Sequence, residues 1–389
     1  MGTVENQEVI IDFSSYVDTL ILANDVDPDY PILTQYAIKN KLDKDNEVFL
    51  YFWFSIVDNS VLAIDFFERI GGWPVTKSNF QKFEDFWMNN KHMFNYGKER
   101  LRNFGNTIRH LQLYLDAMGS SQVSVLNNLI NTDDPYQNYR NVREFISTIK
   151  YFGTLTRYDY LELLQRGACF NILPPDMCTV VGGCYGPVNA TLVVLSEVSG
   201  SDKTQFTDEK SRNWNFSPLV PPSYDTKTKP KRAQFLNEQS VAIADRVQSH
   251  RGFADVALTE SCLCKYQKIK TGSIRYFAGW EICEAMGELY TYDQKNPGFN
   301  RKPIEQIRQE VFAPAFLLEN RISDVEALRN YRKIKPHHLA RHMKELESGV
   351  YDKDLLDESP LVDQLSAKSP VQRYFAAHNY LAPVGATGL

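Results

Sequence analysis

Residues 43–69 read DKDNEVFLYFWFSIVDNSVLAIDFFER, from Asp43 to Arg69. Apolar side chains recur there at three- and four-residue spacing, the period of a helix that turns a stripe toward a core. The most apolar part, Val48–Val57, stops at Asp58. It is far shorter than the roughly 20 apolar residues that a membrane-spanning helix needs, so the spacing predicts a buried helix of a globular protein. Outward from this stretch the same period recurs over Asn79–Met88, Lys98–Met118 and Tyr139–Gln165. Gly71-Gly72-Trp73-Pro74 interrupts the pattern, and Asp133-Asp134-Pro135 stands where a helix should start. The entry segment Asp25–Pro31 (DVDPDYP) is expected to be an extended turn.

The middle of the chain is different in kind. Asn171–Leu195 (NILPPDMCTVVGGCYGPVNATLVVL) mixes paired Pro, paired Gly and β-branched runs, which predicts one or two short strands or a buried loop. Ser199–Lys231 is polar and rich in Pro, Lys, Ser and Thr, the composition of a linker. Helical spacing returns over Gln234–Gln248, Glu281–Tyr290, Pro303–Arg321 and Val325–Arg332. The expectation is a mainly α protein with a small β or irregular middle segment. It divides into a helical part (residues 1–198), a linker (199–232), a second helical part (233–350) and a tail (351–389).

The 389 residues are 43% hydrophobic and 13% aromatic, enough for a sizeable ring-rich core and against wholesale disorder. The formal net charge is −5, so any contact with nucleic acid must come from a local patch. No secretory leader or membrane segment is legible, and six cysteines are too few for a disulfide framework, so a reducing intracellular setting is expected. There is no GxxxxGK[ST], GxGxxG, GxSxG or HExxH pattern. Cys262-Leu263-Cys264 has one residue between its thiols, closer than zinc pairs usually stand, and His338/His342 lack a partnering carboxylate motif. No metal site is expected.

Charge clusters carry more. Residues 329–344 (RNYRKIKPHHLARHMK) hold Arg329, Arg332, Lys333, Lys335, Arg341 and Lys344 with no acid among them. Such a field suits DNA phosphates; it equally suits a solvated helix face balanced by the acids from Glu345 onward. Residues 265–276 interleave Lys265, Lys268, Lys270 and Arg275 with Tyr266 and Tyr276, cations for phosphate beside rings for stacking. Glu260 precedes this segment, and a carboxylate near cations can act as a general base once burial tunes it. Asp27 and Asp29 flank Pro28, with Tyr30 next; Asp at such an entry also serves as an N-cap or turn former. Arg157 stands at a helix start, where the dipole disfavours a cation, which points to a ligand or a buried carboxylate as its partner. Tyr158 and Glu162 lie one turn apart on that helix.

Together these residues resemble the phage enzymes that hypermodify thymine in DNA, namely the amino acid:DNA transferases and the related α-glutamyl/putrescinyl thymine pyrophosphorylases. Three blocks carry the resemblance: DPDYP (Asp27–Pro31) leading to YFWFSIVDN (Tyr51–Asn59), FGTLTRYDYLELL (Phe152–Leu164), and TESCLCKYQKIKTGSIRYFAGWEICE (Thr259–Glu284).

The resemblance implies a helical core like that of DNA glycosylases. It also implies an enzyme that displaces pyrophosphate from 5-(pyrophosphooxymethyl)uracil in DNA with the amine of an amino acid or polyamine. No cofactor is implied, although Mg²⁺ is compatible with such a leaving group, and the setting would be the cytoplasm of the phage's host. On this reading Lys265, Arg275 and Arg157 meet the pyrophosphate and Glu260 takes the amine proton. Trp53, Tyr158 or Tyr276 stacks on the flipped base, and Asp27, Asp29, Tyr30 and Glu162 complete the substrate site. Three rivals make distinct predictions. A DNA glycosylase-like enzyme would leave abasic sites, and a non-catalytic phage DNA-binding or structural protein would carry Glu260 and Lys265 as exposed salt-bridge residues with no pocket. A purely protein-binding helical scaffold would show no salt-dependent DNA affinity.

Overall fold

The computed structural model describes residues 26–91, 104–177, 229–248, 255–270, 300 and 302–311, with Phe13, Val17, Leu20, Pro187, Ala190, Thr191 and Val194. These form helices α1 (Asp29–Lys39), α2 (Lys44–Val57), α3 (Ser60–Ile70), α4 (Lys77–Asn90), α5 (Thr107–Met118) and α6 (Gln122–Leu129). There follow α7 (Pro135–Thr148), α8 (Thr154–Arg166), α9 (Lys229–Gln248), α10 (Val256–Lys270) and α11 (Lys302–Val311). No strand occurs among the described residues, and the mainly α expectation holds. Of the two alternatives for the middle segment, no strand forms where it is described, and residues 171–177 are a loop that buries Ile172 and Met177. Pro187, Ala190, Thr191 and Val194 are helical, and Thr191 Oγ1 donates back to the Pro187 carbonyl one turn earlier (2.8 Å). Ala190, Thr191 and Val194 are buried there.

Every side chain from Val48 to Val57 on α2 is buried. A helix apolar on all sides must be surrounded, and α2 packs against α1, α3, α6 and α8. Its rings set the core: Phe52 stacks on Tyr114 of α5 at 3.7 Å between centroids, and Trp53 meets Phe83 of α4 at 5.0 Å. Asp43 begins α2 by accepting from the Asn46 N–H (2.9 Å).

The Asp43–Arg69 stretch is two helices. Asp58 is left-handed (φ 51°), a conformation that Asp tolerates better than most residues, and closes α2 through its N–H to Phe54 O. Asn59 then caps α3, accepting from the Leu62 N–H (2.9 Å). Tyr139–Gln165 divides similarly: α7 ends as Ile149 turns extended, and α8 begins after Tyr151, whose φ is 80°. Asp134 caps α7 with Pro135 at its first position, as the Asp-Asp-Pro signal implies.

The Gly71–Pro74 break holds. Gly71 and Gly72 have φ of 80° and 75°, which glycine reaches without penalty, and the Asn46 carboxamide seats the turn by accepting from Trp73 N (2.7 Å). The entry segment is a correction: only residues 26–28 are turn, and α1 starts at Asp29. Pro31 sits in the first helical turn, where its missing N–H has no intrahelical partner to lose.

Candidate active site

The stripe of α8 opposite its core face decides the site. Tyr160, Leu161, Leu163 and Leu164 enter the apolar core, while Tyr158, Asp159, Glu162 and Arg166 follow the helical period on another side. That polar stripe is buried too. Glu162 and Arg166 are 2% and 3% exposed, which requires partners from other elements.

Two other segments supply them, the entry to α1 and α10 with its cap. Arg166 Nη2 lies 2.5 Å from Glu162 Oε1 and 3.4 Å from Asp255 Oδ1, and Nη1 lies 3.7 Å from Asp27 Oδ2. From α1, the Tyr30 hydroxyl is shared between Glu162 Oε2 (3.0 Å) and Asp159 Oδ1 (3.4 Å). From α10, Lys265 Nζ stands 3.7 Å from Asp27 Oδ1. The Tyr158 hydroxyl donates to the Ala257 carbonyl (2.7 Å) and lies 2.9 Å from Ser261 Oγ, tying α8 to α10.

Asp255 serves two elements. Its Oδ1 caps α10 by accepting from the Leu258 N–H (2.9 Å), and the same oxygen faces Arg166. Its backbone is clamped by Gln248 at the end of α9, whose carboxamide accepts from Asp255 N (2.8 Å) and donates to Asp255 O (2.8 Å). Gln248 also bonds the Thr259 hydroxyl.

The electrostatics follow from burial. Desolvation pushes the Glu162 carboxyl well above its ordinary range. Arg166 opposes this, and the carboxyls of Asp27, Asp255 and Glu260 reinforce it. Burial raises the Tyr30 and Tyr158 hydroxyls as well, followed for both by the Glu162 carboxyl, so both phenols stay protonated donors at neutral pH. The site therefore holds a poised carboxyl, fixed hydroxyl donors and two buried cations.

The residues expected from sequence fall into three sets. Asp27, Tyr30, Glu162 and Lys265 converge by direct contact, Tyr158 bonds Ala257 and Ser261 beside them, and Glu260, 4% exposed on α10, is close enough for its charge to act on Tyr158 and Glu162. Arg157 opens the same helix; its Nε is buried with no hydrogen-bond partner.

Two residues stand apart. Asp29 Oδ1 accepts from Ser60 N (2.9 Å), a tie between α1 and α3. Trp53 is fully buried among Phe49, Phe52, Phe66 and Phe83, so it belongs to the core and offers no ring face to a base. Arg275, Tyr276, Arg329, Arg332, Lys333, Lys335, Arg341 and Lys344 lie outside the described residues.

Sequence reasoning missed Asp159, Arg166, Asp255 and Gln248. Asp159 and Arg166 had a signal, since at helical spacing they share one face with Glu162, Asp159 within the quoted block and Arg166 two residues past its end; Asp255 and Gln248 had none beyond flanking a helix.

Both Glu260 and Lys265 are buried, contrary to the exposed positions that the non-catalytic reading requires. Among the described residues no group of three or more His, Cys, Asp or Glu side chains is arranged to hold a metal ion. No helix among them is long and apolar enough to cross a membrane.

A family model described as amino acid:DNA transferase matches residues 22–274, more than half of the chain. No curated protein and no solved structure matches it. The matched span begins just before Asp27 and ends just beyond α10, so it contains every residue of the cluster described above.

Proposed function

The chain belongs to the amino acid:DNA transferase family, and on that premise we propose that it displaces pyrophosphate from 5-(pyrophosphooxymethyl)uracil in DNA with the amine of an amino acid or a polyamine. The observation that carries this reading is the buried cluster of Asp27, Tyr30, Glu162, Arg166 and Lys265, which assembles proton acceptors beside cations within the family's span.

The chemistry asks for both. An ammonium donor gives one proton to a carboxylate, and the freed lone pair attacks the methylene carbon on C5 of the base. The carbon–oxygen bond breaks, and its electron pair leaves with pyrophosphate. The new secondary amine forms as its ammonium, which completes the charge balance. A positioned carboxylate contributes typically 10²–10⁴-fold to such a step, and cations fixed near the departing oxygen stabilise its developing charge.

Glu260 is assigned the amine proton. Arg157 and Arg275 meet the leaving group, with Lys265 adding to their field, and Tyr276 supplies a ring for the base drawn out of the stack. The basic stretch 329–344 contributes phosphate contacts along the duplex.

The test is mass spectrometry of nucleosides after DNA carrying the pyrophosphorylated base is incubated with the protein, mixed amino acids and putrescine. A new nucleoside whose mass equals one amine adduct is expected. Unchanged nucleoside with folded, DNA-bound protein overturns the reading, and abasic sites revealed by alkaline strand scission would replace it with glycosylase chemistry. Glu260→Gln should abolish transfer while leaving DNA affinity within about twofold; loss of both together refutes the role given to Glu260.

A further inference from the structure

Ile38, Met88, Tyr136 and Leu155 are the large apolar side chains that stand exposed among the described residues. The first three lie on α1, α4 and α7; Leu155, 43% exposed, is on α8, the helix that carries the buried cluster. At about 100° per residue, Glu162 and Arg166 follow Leu155 within about 20° of the same line along that helix. The stripe that is enclosed at Glu162 therefore ends in an open leucine about 10 Å nearer the helix start. The turn before Leu155 is anchored in the core. Phe152 is buried against His110 (4.7 Å between centroids) and Tyr160 (5.6 Å), and Gly153 N donates to Tyr151 O (2.8 Å). The surroundings favour an anion. Arg157 N donates to Gly153 O (3.0 Å) as the first bond of α8, so the N–H groups of Thr154, Leu155 and Thr156 have no intrahelical acceptor. That first turn holds no acid and no capping side chain, and exposed Lys150 stands just before it, its Nζ 5.2 Å from the Tyr151 ring centre.

We propose that Leu155 is a wedge: as the target base is drawn out of the duplex, the leucine side chain enters the gap left in the stack. The proposal rests on the transfer reading above, since carboxyls as enclosed as Glu162 and Glu260 reach only a base that has left its partner. Extrusion leaves two neighbouring bases facing an empty step, and an apolar side chain inserted there offsets part of the lost stacking. Leu155 is open to water in the free protein, so it gains burial only by entering such a gap. Charge complementarity selects the occupant, because the positive end of α8 and the Lys150 ammonium suit the phosphates on either side of the gap. The leucine touches the stack and not the reacting atoms, which makes it a positioning residue.

The experiment uses the full chain on two duplexes carrying 5-(pyrophosphooxymethyl)uracil, one with the target paired to adenine and one with it mismatched to guanine. A mismatched base is already loosened and needs less help to leave the stack. Leu155→Ala should lower kcat/KM on the paired target by about 10- to 100-fold, the size of one side chain's burial. On the mismatched target the loss should stay under about threefold, and Leu155→Met should recover most of the activity on the paired one. Equal losses on the two duplexes, or no loss on the paired one, overturn the wedge. A second readout is independent of turnover: 2-aminopurine beside the target should brighten when wild-type protein binds and stay dim with Leu155→Ala. The same brightening with both proteins also overturns the wedge. Wild-type protein that binds and brightens the probe yet forms no amine adduct on either duplex refutes the transfer reading instead.

Discussion

Arg166 is the cation around which the cluster is built, and replacing it with Met separates its charge from its bulk. Its guanidinium faces Glu162 at 2.5 Å, Asp255 at 3.4 Å and Asp27 at 3.7 Å, and the residue is 3% exposed. Removing one partner of a buried ion pair strands the other charge in a poorly solvated place, at a cost of about 3–5 kcal/mol. Three carboxylates share the loss here, so Arg166→Met should lie at the upper end. The pH dependence has a definite sign. Burial already raises the folded Glu162 carboxyl above its unfolded value, and losing Arg166, the counter-charge that lowers it, raises it further. A group shifted this way contributes most to stability below its unfolded pKa and loses that contribution as pH rises through the folded one. The deficit of Arg166→Met should therefore be larger at about pH 8 than at about pH 5. Urea unfolding followed by tryptophan fluorescence at the two pH values measures it. The double variant Arg166→Met/Glu162→Gln should recover part of the loss. A deficit under about 1 kcal/mol at the higher pH, or one that does not change with pH, would refute the account of the cluster as a buried charge network.

Other consequences concern neighbouring elements. Gly167 follows Arg166 at the end of α8, and a Cβ there would lie 2.5 Å from Tyr51 Cζ; Gly167→Ala should cost about 1–3 kcal/mol in urea and lower transfer activity by displacing α8. Asp255→Asn keeps an N-cap for α10 but removes the charge facing Arg166, whereas Asp255→Ala removes both; the Ala variant should be the less stable by about 0.5–2 kcal/mol, and equal losses would deny the capping role.

His110 is fully buried, neither ring nitrogen has a hydrogen-bond partner, and burial pushes its pKa down to about 4. Its contribution is complete above the unfolded value near 6.5 and falls away as pH drops, reaching about 3 kcal/mol of lost stability at pH 4. Against pH, the stability difference between wild type and His110→Leu should show that slope, and parallel curves would contradict it.

The fold was legible in the sequence where one period ran long enough to outvote local exceptions. Val48–Val57 could only be a surrounded helix, and Asp-Asp-Pro before residue 135 could only open one. The boundaries inside Asp43–Arg69 and Tyr139–Gln165 were not legible, because Asp58 and Tyr151 take left-handed conformations that their residue types leave optional. Of the strands or buried loop expected over Asn171–Leu195, the loop is found at residues 171–177, and the described residues from Pro187 to Val194 are helical, because β-branched side chains such as Thr191 and Val194 also fit a packed helix. Trp53 misled for a related reason, since a ring suited to stacking on a base is equally suited to a core of Phe49, Phe66 and Phe83.

By itself the sequence determined that the chain is mainly helical, and its three blocks determined the family, because periodicity and motif order are properties of local segments. Only the tertiary structure decided that Asp27, Tyr30, Glu162, Arg166, Asp255 and Lys265 form one buried cluster. They come from three segments, with Tyr30 and Glu162 132 positions apart. Their charges become expensive, and therefore coupled, only when α1, α8 and α10 exclude water from between them.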